Sequence, residues 1–97
     1  MAEQVTVMAR IHAKPGMESE VRAIIAKNLE PTRAENGCVF YRLFETKQSG
    51  LFYFFELWES AADLEAHSKS SHLAISHEAL KDKLQEPTEV SLVTEVL

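Results

Sequence analysis

The run Leu51-Phe52-Tyr53-Phe54-Phe55-Glu56-Leu57-Trp58 constrains this chain more than any other stretch. Side chains on a strand alternate between two faces. Leu51, Tyr53, Phe55 and Leu57 therefore point one way, and Phe52, Phe54 and Trp58 the other. Both sets are apolar. A sheet built around this strand must be covered on both sides.

The rest of the chain supplies one cover. Val5, Val7, Ala9 and Ile11 alternate with Thr6, Met8, Arg10 and His12, which predicts a strand over Val5–Ala13 ended by Lys14-Pro15-Gly16. Met1 to Gln4 are expected to fray. Glu18 and Glu20 suit a first helical turn, and Met17, Val21, Ile24, Ile25 and Leu29 form its apolar stripe. Pro31 is expected to interrupt this helix, and Gly37 to end what remains. Strands follow at Cys38–Thr46 and Leu51–Glu59, joined by Lys47-Gln48-Ser49-Gly50 as a hairpin. In the first of them Phe40 and Phe44 alternate with Val39, Tyr41 and Leu43. Ser60 is the predicted N-cap of a second helical region, with Asp63 three residues on. That region runs through Ala66, breaks near Ser68–Ser71, and resumes with Leu73, His77, Leu80 and Leu84 on one face until Pro87. Val90–Val96 alternates again as a last strand.

The order β-α-β-β-α-β predicts an α+β, ferredoxin-like domain spanning residues 1–97, with a four-stranded antiparallel sheet. Its helices cover one face only. A second copy of the same sheet is the simplest cover for the other, so a homodimer is expected.

Composition removes several function classes. The formal net charge is −5, and the basic residues are scattered, so no stripe suited to phosphate backbones exists and nucleic acid is not an expected partner. RNA-recognition domains share this element order and stack bases on strand-three aromatics, but Ser49 stands before Gly50 where that motif wants a basic residue. Leu51–Phe55 stops at Glu56, far short of the roughly 18 residues of a membrane span, so no membrane association is expected. Met1-Ala2-Glu3-Gln4 lacks the basic start of a secretory signal, and the single cysteine, Cys38, fits a reducing cytoplasm and inert packing. Three glycines are too few for a dinucleotide fingerprint, and neither a phosphate-cradling loop nor a nucleophile elbow is present.

Few residues remain to carry chemistry. His77 shares a face with Leu73, Leu80 and Leu84 and is expected to point inward, as a base or as a structural donor. His67, three residues after Leu64, is expected to face the sheet. His67, His72 and His77 are five residues apart, roughly 140° around an ideal helix, so no metal site is expected. Glu56, an acid among aromatics, is expected to meet Arg42, Arg10 or a backbone donor. Tyr41 and Tyr53 offer phenols that either orient a ligand or simply pack.

Three stretches together resemble a known family. They are Met8-Ala9-Arg10-Ile11-His12-Ala13-Lys14-Pro15-Gly16, Glu30-Pro31-Thr32-Arg33-Ala34-Glu35-Asn36-Gly37-Cys38-Val39-Phe40-Tyr41, and Phe55-Glu56-Leu57-Trp58-Glu59-Ser60 with Leu64-Glu65-Ala66-His67 and Ser71-His72. The pattern is similar to that of the antibiotic biosynthesis monooxygenases, including the bacterial quinol monooxygenases. The resemblance implies a homodimer whose sheets pack as an α/β barrel. It also implies oxygenation of a small aromatic by dioxygen without metal, flavin or other cofactor. His67 and His77 are then the candidate catalytic residues, and Tyr41, Phe54, Glu56 and Trp58 the candidate substrate-binding ones. A haem-degrading branch places a histidine where His77 stands, but its tryptophan and asparagine are His67 and Ala9 here. An isomerase or lyase using His67 or His77 on the same fold, and a domain that only sequesters a metabolite, remain open at this level.

Overall fold

The computed structural model describes residues 3–97. The expected fraying of Met1 and Ala2 lies outside the described residues. Period-two patterning produces strands where it is strong: β1 is Val5–His12, β2 Cys38–Glu45, β3 Leu51–Trp58 and β4 Glu89–Val93. Helices fill the two crossovers, α1 (Glu18–Ala26) and α2 (Leu29–Arg33) in the first, α3 (Ala61–Ser68) and α4 (Ser71–Ala79) in the second. The sheet order is β2-β3-β1-β4, with every neighbouring pair antiparallel. This is the ferredoxin-like arrangement.

The helix-covered face holds the core. Val7, Ala9 and Ile11 on β1, Tyr41 on β2 and Phe52, Phe54 and Trp58 on β3 are all buried, packed against Val21 and Ile25 of α1. Register decides where this face is thinly filled. Ala9 stands opposite Phe54 and Val7 opposite Glu56, so small side chains on β1 leave room above the middle of the sheet.

The helical breaks have local causes. α1 stops at Ala26, ahead of Pro31, and the chain turns at Lys27 and Asn28. The first helix is interrupted just ahead of Pro31, as expected, and Pro31 itself lies inside the first turn of α2, where its missing N–H has no partner to lose. Gly37 has φ 80°, and a Cβ there would collide with the Asp63 carboxyl group. Ser60 caps α3, its hydroxyl accepting from the Asp63 N–H at 3.1 Å and donating to Asp63 Oδ2 at 2.9 Å. Ser70 caps α4 by accepting from the Leu73 N–H.

Two boundaries depart from expectation. α4 ends at Ala79, not at Pro87, and the chain passes through Asp82 at φ 64° before β4. β4 begins at Glu89 and ends at Val93, three residues short of Val96. Val90 and Leu92 pair with Ala9 and Val7 on the helix side, yet both are about two-thirds exposed, at 64% and 67%. The helices therefore stop short of β4.

The opposite face carries Met8, Phe40, Phe44, Tyr53, Phe55 and Leu57. Phe40 packs on Phe55 with ring centroids 5.2 Å apart, and the Arg42 guanidinium lies over Phe40. Phe44 is 51% exposed. Among the described residues, no helix is long and apolar enough to cross a membrane.

Candidate active site

The room above β1 becomes a cavity of about 180 Å³ between the sheet and the second helical region. Its walls are mostly apolar: Val7, Ala9 and Ile11 below, Phe54 beside them, and Leu64, Leu73 and Leu80 above. Polar groups gather on one side, where Tyr41, Glu56 and His67 meet. Asn28 Nδ2 donates to Ser76 Oγ at 3.0 Å on another wall, tying the α1–α2 turn to α4.

His67 is the best-defined of these groups. It sits in the last turn of α3 and is almost wholly buried, its ring 4.6 Å from the Trp58 ring and edge-on to Tyr41. Its Nδ1 lies 2.8 Å from Glu35 Oε2. A carboxylate only accepts hydrogen bonds, so this contact requires the proton on Nδ1. Nε2 of the neutral ring is then bare, and it faces Glu56 Oε1 at 4.0 Å on the cavity wall. A carboxylate that fixes the tautomer and leaves the other nitrogen free to accept a proton is the logic of an oriented base.

Glu56 supplies the second function. It is buried on the helix side of β3, and the Trp58 indole N–H donates to its Oε1 at 2.9 Å. Burial pushes its carboxyl above the ordinary range, opposed by the Trp58 hydrogen bond and by His67. Arg10 and Arg42 do not reach it as expected. They pair across the sheet with Tyr53 and Phe55, so they project from the opposite face, and Arg10 bonds Glu86 at 2.7 Å instead.

Tyr41 stacks on Phe54 with centroids 4.7 Å apart. Burial, then the nearby Glu56 charge, pushes the phenol up, so Tyr41 stays protonated and serves as a donor. Cys38 is raised as well, chiefly by burial, which suits inert packing.

Two expected site residues are placed differently from expectation. His77 borders the cavity but is exposed rather than inward, and Ser76 takes the buried position on α4. The helix restarts after Ser70 with Ser76 rather than His77 facing inward, which a single continuous stripe does not anticipate. Trp58 is fully buried and does not reach the cavity wall; it holds Glu56 from below.

One functional residue was missed. Glu35 follows α2 in an irregular turn, where no periodicity marks it. It becomes visible only when the fold brings it to His67 and to His72, whose Nε2 lies 2.9 Å from the same Oε2.

A ferredoxin-like sheet that carries an apolar cavity walled by an acid-oriented histidine and a buried acid defines a small-molecule site on an α+β scaffold. A family model for antibiotic biosynthesis monooxygenase matches residues 4–79, and the chain belongs to that family. It is 32% identical over 93 residues to a Mycobacterium tuberculosis protein named "Putative monooxygenase Rv0793", covering 96% of this chain and 92% of that protein. The solved structure of Rv0793 superposes with a TM-score of 0.89 over 97% of this chain and 96% of that one, at 31% identity. PA3566 from Pseudomonas aeruginosa gives a TM-score of 0.90 at 28% identity, covering 100% and 98% of the two chains. An uncharacterised Synechocystis protein, sll1783, is 30% identical over 93% of this chain, which spans 62% of that protein.

Proposed function

We propose that the protein is a monooxygenase that oxidises a small quinol or hydroxylated aromatic with dioxygen. One observation carries this reading: His67 Nε2, held bare by Glu35, stands at the wall of a largely apolar cavity beside a buried acid. A flat aromatic suits the apolar walls, and its hydroxyl suits the polar side. His67 takes the proton from that hydroxyl, and the resulting oxyanion is electron-rich enough to reduce dioxygen directly, so the scheme needs no prosthetic group. The Tyr41 phenol, held protonated by burial, donates a hydrogen bond to developing charge on oxygen. One oxygen atom enters the ring product and the other leaves as water, so a quinol becomes a hydroxyquinone and supplies all the electrons. His77, at the cavity rim, contacts the outer end of the substrate.

The working particle in this reading is a homodimer with the two open sheet faces packed together. Its apolar side chains, Met8, Phe44 and Phe55 among them, are the support for that arrangement.

Oxygen uptake with a quinol panel tests the reaction. Uptake should match product formation, and labelled dioxygen should deliver one atom to the product. Turnover that persists unchanged without oxygen would instead favour an isomerase or lyase acting through the same His67.

A further inference from the structure

The geometry points to a divalent transition-metal site, of the zinc class, formed by Glu35, His67 and His72. The five-residue spacing of the histidines argues against such a site on one continuous helix. The break at Lys69 and Ser70 removes that objection, because it starts a new helix and turns His72 back toward His67. Three ligands of two types that suit such a metal then converge from three separate elements. Glu35 comes from the turn after α2, His67 from the end of α3 and His72 from the start of α4.

The convergence is on a point. His67 Nδ1 and His72 Nε2 approach the same oxygen, Glu35 Oε2, at 2.8 and 2.9 Å. The ligand atoms all lie within 4.8 Å of one another. Zinc holds nitrogen and oxygen ligands at about 2.0–2.2 Å, which sets them roughly 3.3 Å apart in a tetrahedron. Coordination replaces the His67–Glu35 hydrogen bond and the His72–Thr32 contact, with shifts of about an ångström from side chains at helix ends. Two imidazoles and one carboxylate favour zinc, cobalt or nickel over calcium or magnesium, which want oxygen. Thr32 Oγ1, 3.0 Å from His72 Nε2, stands beside the open position that water would complete.

Access and placement follow from burial. Glu35 and His72 are partly exposed while His67 is nearly sealed, so an ion enters from the solvent side. Neither Glu35 nor His72 lines the cavity, so the ion lies behind His67. Coordination at Nδ1 leaves the ring proton on Nε2, so the loaded protein presents an N–H rather than a bare base to the cavity. The site does not depend on the oxygenase reading, since it is defined by binding alone.

The test uses chelator-stripped full-length protein titrated with zinc by calorimetry, and with cobalt by visible absorption, in a non-chelating buffer at pH 7.5. One equivalent per chain is expected. Glu35→Gln and His72→Gln should each weaken binding at least about 100-fold, whereas His77→Gln and His12→Gln should leave it within about twofold. Imidazole NMR of unmutated protein gives a check that requires no variant to fold: His67 and His72 resonances should move on zinc addition, with His12 and His77 unmoved. Absence of stoichiometric binding overturns the site. So does binding that survives both Glu35→Gln and His72→Gln, or resonances that move only at His12, whose Nδ1 meets Glu86 at 2.9 Å.

Discussion

Glu35 and Glu56 show how environment divides two carboxylates on either side of one imidazole. Glu35 accepts from His67 Nδ1 and lies 2.9 Å from His72 Nε2, whereas Glu56 has one indole donor and a largely apolar surround. If Glu35 orients the base, Glu35→Gln should lower kcat with a test quinol by about 100-fold and move the basic-form limb of the pH profile, with oxygen uptake as the readout. An unchanged kcat would remove Glu35 from the mechanism. Glu56 makes a separate prediction about stability. Its folded pKa lies above 4.5, so its contribution is fully present below pH 4.5 and is lost as pH rises through the raised value. Glu56→Gln keeps an acceptor for the Trp58 indole and abolishes that loss. Calorimetric melting should show the variant gaining on the unmutated protein as pH rises above 4.5, with the difference levelling off once Glu56 is ionised in the fold. A pH-independent difference would mean Glu56 ionises freely in the fold. Glu56 was readable in the sequence because it breaks a strong apolar pattern, and His67 because it stands three residues after Leu64 on one helix face. Glu35 breaks none, and its role exists only in three dimensions.

At the scale of elements, strands were more legible than helices, for a physical reason. β3 is apolar on both faces and paired on both edges, so its run and register are overdetermined, and Leu51–Trp58 appears within one residue of expectation. Helix ends depend on single caps. Ser60 announced α3 through the spacing to Asp63, but Ser70 and Ser71 sit in a short polar run from which the exact restart of α4 cannot be fixed. That restart decides that Ser76 is buried, His77 is exposed and His72 turns toward His67. Replacing the cap with Ser60→Ala should cost about 1 kcal/mol in urea unfolding. Ser70→Ala should cost a similar amount, about 1 kcal/mol, and should also shift the His72 imidazole resonances, since the cap fixes the turn that positions it. Resonances unaltered by Ser70→Ala would show that Glu35, not the cap, sets the His72 position.

For the whole molecule, the sequence revealed a surplus of apolar surface before it revealed any site. Helices bury Phe52, Phe54 and Trp58, while the other face keeps Phe44 half exposed and Met8 at 37%. The cavity lies on the helix side, so pairing through the open face leaves its walls in place. This separation makes the dimer testable without destroying the fold. In a lone chain, Phe44→Glu alters an exposed position and should change stability by only about 0.5 kcal/mol. In a sheet-to-sheet dimer the same change places an unpaired charge in an apolar interface, which costs several kcal/mol. Light scattering on a sizing column should therefore find unmutated protein at about twice the 11.0 kDa chain mass and Phe44→Glu near one chain mass, both with the same circular dichroism. If the unmutated protein runs as a single chain at high concentration, the open face is simply tolerated by water. The barrel arrangement then fails, while the His67 chemistry, housed on the other face, still stands or falls by oxygen uptake.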